Sequence, residues 1–228
     1  MSRADRPPLV VIVGGGLAGT EAAWSAANHG AQVLLYEMRP ERQTPAHHTG
    51  YLAELVCSNS LKSALLSNAS GLLKEEMRRL GSILLSTAEL TSVPAGEALA
   101  VDPELFAAGV TDRISRRSDI TVIREEVHEI PDHRPTVIAT GPLTSKGLIS
   151  SLQELTGESA LSFFDAVAPT VTLDSINMDR AFWASRRNRS LSSETDEQGS
   201  AGDYLNCPLT KEEYEAFYAA LVQAEQAM

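Results

Sequence analysis

The sequence predicts an α/β fold that opens on a parallel sheet, and three observations near the N-terminus predict it. They are an apolar run ending in a glycine cluster, a small-residue helical pattern behind that cluster, and a second apolar run closed by an acid. Leu9-Val10-Val11-Ile12-Val13 is continuous and β-branched, the pattern of a parallel strand covered on both faces. Gly14-Gly15-Gly16-Leu17-Ala18-Gly19 follows at once. Ala18 to Asn28 reads as a helix, with Ala22, Ala23 and Ala26 at helical spacing and Gly30 as its stop. Gln32-Val33-Leu34-Leu35-Tyr36 is the second strand, and Glu37 ends it.

Strand, glycine turn, helix, strand and acid within about 30 residues are the context of the Rossmann dinucleotide fingerprint. Gly14 permits the tight turn, Gly16 lets the backbone approach a pyrophosphate, and Gly19 lets the helix pack closely on the strand. With Gly15, Leu17 and Ala18 they make a cofactor-binding turn, whose free N–H groups and partial positive charge face the phosphates. Glu37 is placed to accept hydrogen bonds from the ribose of the adenosine half, and its charge disfavours the 2′-phosphate of NADP there. The motif does not separate FAD from NAD, and a glycine turn without a ligand is the alternative.

Asp102-Pro103-Glu104 starts a helix running towards Arg116-Arg117, with Asp102 as its cap. Ile120 to Ile130 alternates well enough for a strand, and the turn Pro131–Pro135 makes a hairpin-like insertion with the next one. That next strand, Pro135-Thr136-Val137-Ile138-Ala139-Thr140-Gly141, has the Ala-Thr-Gly ending with which two-dinucleotide flavoproteins return to their first sheet. The pairing resembles an FAD domain of the glutathione-reductase type; a βα-turn without ligand contact is the alternative. Thr144 to Leu155 reads as a helix closed by Gly157. From about Ser162 the character changes, and Phe163–Val171 reads as a strand entering a second, smaller α+β domain. The expected division is 1–161 and 162–228. Asn188 to Gly202 reads as a loop, and Thr210 caps a final helix with Tyr214, Phe217, Tyr218 and Leu221 on one face. There are no internal repeats.

Composition narrows the function classes. At 43% hydrophobic and 21% charged over 228 residues, the chain is in the ordinary globular range. Nineteen basic against thirty acidic residues, a net charge of -11, argue against broad attraction to a polyanion but not against a local basic surface. Arg186-Arg187-Asn188-Arg189 is the densest basic cluster, a candidate contact for RNA phosphates or an ordinary solvated run. Two cysteines far apart, with no secretion signal and no apolar run of membrane-spanning length, point to a reduced cytoplasmic setting and no membrane partner. No Cys or His spacing suits a metal site, since His47 and His48 are adjacent.

The segment after the second strand is polar and carries a cysteine among serines and asparagine, the composition of a functional loop. It contains Tyr36-Glu37-Met38-Arg39-Pro40, Gln43-Thr44-Pro45-Ala46-His47 and Glu54-Leu55-Val56-Cys57-Ser58-Asn59-Ser60-Leu61. These stretches resemble the signature of the folate- and FAD-dependent tRNA (uracil-5-)-methyltransferases, the TrmFO family. Gly71–Arg79, Val93–Gly96, Ala98–Asp102, Ala139–Ser145 and Tyr204-Leu205-Asn206-Cys207-Pro208 extend the likeness over essentially the whole chain.

The resemblance implies transfer of a one-carbon unit from methylenetetrahydrofolate to C5 of the T-loop uridine of tRNA. Reduced FAD supplies the electrons, and NADH or NADPH restores it. Uracil C5 becomes nucleophilic once something adds at C6, and a thiolate is the usual candidate. The likeness places Cys57 at one of two catalytic cysteines; its polar followers favour an accessible thiol, a small apolar residue beneath Val56 being the alternative, and His47 and His48 shape the loop or contact cofactor, with assistance to thiol ionisation as the other reading. The other family cysteine, in a Phe-Glu-Gly/Ala-Cys-Pro segment, is not in this sequence, and Cys207 belongs to a different motif for which a packing role is expected. The expectation is an incomplete family member. A non-catalytic FAD-binding remnant and the related FAD-dependent protein that modifies the tRNA wobble uridine remain as alternatives.

Overall fold

A computed structural model describes residues 7–132, 135–157, 171–185 and 202–224. The chain forms two compact units, one of Met1–Val93 with Ala98–Ala168 and the other of Pro94–Glu97 with Pro169–Met228. The domain boundary expected at 161/162 and the Arg186–Arg189 cluster lie outside the described residues. So do the strand over Phe163–Val171 and the loop over 188–202, except for Val171 and Gly202 at their ends.

The first unit is built on a four-stranded sheet of order β6-β2-β1-β7, all parallel. Its strands are β1 (Leu9–Val13), β2 (Gln32–Tyr36), β6 (Ile120–Ile123) and β7 (Thr136–Ile138). Val11 and Ile12 point to opposite faces of β1, yet both are fully buried, so both faces of the sheet are covered, as the unbroken apolar pattern requires. Helix α1 (Leu17–Asn28) joins β1 to β2 and buries its small side, Gly19, Thr20, Ala23 and Ala27. Gly30, at φ +84°, turns the chain after it.

A second sheet of the same unit, of order β3-β5-β4, is antiparallel. It comprises β3 (Ser60–Ser63), β4 (Ser92–Val93) and β5 (Ala98–Val101), with α2 (Ala69–Arg79) and α3 (Ile83–Leu90) between β3 and β4. Helix α4 (Pro103–Ser115) starts where the sequence places it: the Asp102 carboxylate accepts the backbone N–H groups of Glu104 and Leu105. Phe106, Val110 and Ile114, four residues apart, bury one stripe of α4 in a core shared with Leu35, Leu52 and Ile83. Each such side chain removed from water contributes about 1.5–3 kcal/mol. Helix α5 (Lys146–Thr156) ends on Gly157 in the left-handed conformation, as expected.

The hairpin expected around residues 131–135 does not form. β6 and β7 lie at opposite edges of one parallel sheet, separated by β2 and β1. The strand expected over Ile120–Ile130 stops at Ile123, because its partner β2 ends at Tyr36 and the last ladder bond is Glu37 N–H to the Ile123 carbonyl. Alternation along the chain carries no information about which neighbour is available to pair.

In the second unit, β8 (Phe182–Ala184) and β9 (Tyr204–Asn206) form an antiparallel ribbon. Asp203 accepts the Gly96 N–H and the Ser185 hydroxyl, and the Tyr204 hydroxyl donates to the Ala95 carbonyl. Helix α6 (Lys211–Val222) carries the expected capping box, Thr210 with Glu213. Its residues Tyr214, Phe217, Tyr218 and Leu221 are exposed. Cys207 is exposed as well, which corrects the packing role expected for it: it follows the short edge of β9, where the described residues of this unit form no cover over it.

Candidate functional site

The carboxyl ends of β1, β2, β6 and β7 frame a cavity of 310 Å³ in the first unit. Its floor is the glycine turn. Gly14 sits at φ +105°, and a Cβ there would lie 2.5 Å from the Ala139 carbonyl oxygen of the neighbouring strand end. At Gly19 a Cβ would stand 1.7 Å from the Gly14 carbonyl oxygen, so only glycine lets α1 approach β1 this closely. Gly16 is the reverse case, with open space where its side chain would be. It caps α1 without any side-chain acceptor, and Gly14 to Ala18 line the cavity, so the positive end of α1 is presented to it. A cradle open at Gly16 and closed behind Gly19 fits an anionic pyrophosphate.

Glu37 also lines the cavity and is 6% exposed. Its Oε2 accepts the Gly15 N–H at 2.9 Å and Arg39 Nη2 at 3.1 Å, while Oε1 accepts the Arg39 backbone N–H and Nε, both at 2.9 Å. Burial alone would raise its pKa, but the bonds from Arg39 and Gly15 outweigh burial and hold the carboxyl below its ordinary value. The acid is therefore ionised and tied to the turn.

Arg39 is a residue whose role periodicity does not reveal. It is 2% exposed and forks between two carboxylates, Glu37 and, through Nη1 at 2.9 Å, Glu54. Glu54 in turn accepts the His48 N–H at 2.8 Å and the Thr49 hydroxyl at 2.7 Å. Burial would raise the Glu54 pKa, and these bonds together with Arg39 lower it. The Ala53 N–H donates to the Gly15 carbonyl at 2.9 Å. The loop between β2 and β3 is thus fastened to the glycine turn at Glu37, Arg39, Ala53 and Glu54. The signal in the sequence is a cluster of charges, Glu37, Arg39, Glu41 and Arg42, with Glu54 further along the loop.

His47 lines the cavity, and its Nδ1 stands 2.6 Å from the Thr44 hydroxyl. Burial, and next the Arg39 charge, lower its pKa, which favours the neutral ring near pH 7. Cys57 is exposed, just before β3, and does not line the cavity; Val56 does. The geometry therefore brings Gly14, Gly15, Gly16, Leu17, Ala18 and Glu37 to one cavity, with Gly19 packed behind it and Cys57 outside it. Residues 124–130, expected as strand, supply Glu125, Glu126 and Val127 to the lining, and Thr140, Gly141, Thr144 and Ser145 complete it beyond β7.

The family model of glucose inhibited division protein A matches residues 9–228. The chain belongs to that family. Within it, the chain is 57% identical over 221 residues to a protein of Symbiobacterium thermophilum named methylenetetrahydrofolate--tRNA-(uracil-5-)-methyltransferase TrmFO, covering 97% of this chain and 47% of the relative. A Bacillus subtilis protein of the same name is 56% identical over 216 residues, 95% of this chain and 47% of its own. The chain spans about half the length of these relatives. Among solved structures, Aquifex aeolicus GidA covers 62% of this chain and 26% of its own at 18% identity and a TM-score of 0.48, a likeness too slight to inform the fold. No helix among the described residues is long and apolar enough to cross a membrane, and no group of three or more His, Cys, Asp or Glu among them is placed to hold a metal ion.

Proposed function

We propose that this chain is the FAD-binding part of a folate-dependent tRNA (uracil-5-)-methyltransferase, acting in the cytoplasm. It serves the transfer of a one-carbon unit from methylenetetrahydrofolate to the T-loop uridine of tRNA, with NADH or NADPH as reductant. FAD, when bound, supplies the electrons for reducing the transferred carbon. The observation that carries the reading is the glycine cradle, open at Gly16 and walled by buried Glu37, in a chain 57% identical to a relative bearing that enzyme name.

In this proposal the amides of Gly14 to Ala18 bind the pyrophosphate, with Gly19 keeping α1 close behind them. Glu37 accepts the ribose hydroxyls. A carboxylate offers about four lone-pair directions, and all four donors now on Glu37 come from the chain, so a ribose hydroxyl takes the place of an Arg39 N–H. Arg39 keeps Glu54 as its second partner when it yields. Cys57 supplies an exposed thiol for addition to uracil C6, which makes C5 nucleophilic. We also place the division between the flavin domain and the start of a second domain near residue 161.

The test is a titration of FAD into the 228-residue chain followed by flavin fluorescence, then an assay of methyluridine in a T-loop substrate with folate and NADH. Stoichiometric flavin binding is expected. Cys57→Ala is expected to retain FAD; in a methylation-competent protein it is expected to abolish turnover. A second reading is an FAD-binding module without turnover of its own. Flavin binding without methyluridine formation by this chain would favour it.

A further inference from the structure

Two further acids, Glu125 and Glu126, line the cavity beyond β6, and the second of them is only half used by the loop. Glu126 lies three residues beyond β6 and lines the same cavity. Its side chain is 13% exposed, with Oε2 held by the Arg42 guanidinium. Burial raises the pKa of this carboxyl, and Arg42 and then Ser145 lower it. Oε1 is buried and has no hydrogen-bond partner among the described residues. His128 Nδ1 is 3.7 Å from it, beyond hydrogen-bond reach, on an exposed side chain. Leaving a buried charged acceptor without a donor is costly, so a donor at Oε1 is expected when the cavity is filled.

The sheet order says which donor. β1, β2 and β6 are parallel neighbours in that sequence, so their carboxyl ends lie side by side, about 4.8 Å apart per strand. The glycine turn follows β1, Glu37 follows β2, and Glu126 follows β6, one strand further out. A nucleotide laid across this edge with its phosphates on the turn puts ribose at Glu37 and base near Glu126. Glu37 already takes two donors on each oxygen, whereas Glu126 holds an acceptor with none.

We propose that Glu126 reads the base: Oε1 accepts a hydrogen bond from the exocyclic amine of a 6-aminopurine, and so selects adenine nucleotides. This rests on the dinucleotide reading of the cavity. Arg42 fixes the polarity of the contact. In Glu126→Gln the guanidinium claims the amide oxygen, which turns the NH2 towards the base and sets donor against donor. Glu126→Asp keeps the charge but withdraws both oxygens by one methylene.

Calorimetric titration of the 228-residue chain with ADP, with its 6-deamino analogue and with 2′-deoxy-ADP tests the assignment. Wild type is expected to bind ADP about tenfold tighter than the 6-deamino analogue. In Glu126→Asp the preference for ADP is expected to vanish and in Glu126→Gln to vanish or reverse, while the penalty for 2′-deoxy-ADP stays as in wild type. Should Glu126→Gln lack a cooperative melt, Glu126→Asp carries the comparison. A preference for the 6-amino group that survives in the folded variants would overturn the proposal, as would its absence in wild type that still binds ADP; either result leaves the dinucleotide reading standing. Loss of the 2′-deoxy penalty instead would show that Glu126 contacts ribose and overturn the base assignment. Wild type that binds no ADP would overturn the dinucleotide reading itself and this inference with it.

Discussion

The glycine turn and the loop that leads to Cys57 meet at Glu37, but they are held in different ways. The turn is fixed by what the backbone can do: a left-handed Gly14, a contact at Gly19 that admits no Cβ, and the β-branched strand β1, whose Val11 and Ile12 are buried on opposite faces. The loop has few buried apolar anchors, Leu52 and Ala53 among them, and is otherwise held by charge: Arg39 forked between Glu37 and Glu54, and Glu54 gathering the backbone of His48 and Thr49. A nucleotide cradle can be rigid because its ligand is always the same shape. A loop that presents a reactive thiol is tied at its base and leaves Cys57 exposed.

The difference can be broken from the loop side most severely. Arg39→Met leaves two carboxylates with little exposure and no cation between them, and a loss of about 3–5 kcal/mol in urea unfolding is expected. Arg39→Lys should recover only part of it, since an ammonium cannot fork between both acids. From the turn side, Gly19→Ala drives a methyl into the Gly14 carbonyl and is expected to cost about 1–3 kcal/mol by the same measurement.

The charge network also predicts a pH dependence that the turn lacks. Glu37 and Glu54 both titrate below the ordinary 4.5 in the folded chain, so they bind protons less readily folded than unfolded. Their contribution is complete above pH 4.5 and is lost as pH falls through their lowered values. Thermal melts should therefore show a decline below pH 4.5 that is shallower in Glu54→Gln than in wild type. The smallest effect is expected at the exposed end of the loop, where Cys57→Ser should change unfolding stability by less than about 0.5 kcal/mol.

The same contrast explains what could be read from the sequence. β1, α1 and β2 sit where the apolar runs and glycines place them, and the Asp102 cap and Gly157 stop bound α4 and α5, because each of those signals is local. The return of β7 to the first sheet follows its Ala-Thr-Gly ending, but the place of β6 beside β2 was not legible: alternation says that a strand forms, whereas the end of β2 at Tyr36 decides where β6 stops. Nor was the bond between Arg39 and Glu54, fifteen residues apart in a loop without period, or the presence of Glu126 in the cavity. Cys207 was expected to pack and is exposed, because its surroundings depend on neighbours that the Asn-Cys-Pro motif does not encode.

The central claim, that the cradle binds the pyrophosphate of FAD, is tested most directly at Gly16. A Cβ there meets no protein atom within 4 Å and the backbone is extended, so Gly16→Leu should fold with a loss of no more than about 1 kcal/mol. It fills the space through which phosphates reach the α1 amides. Titration of FAD into wild type and Gly16→Leu should show one flavin bound per wild-type chain and binding weaker by at least about tenfold in the variant. Equal affinity in two folded proteins would contradict the account.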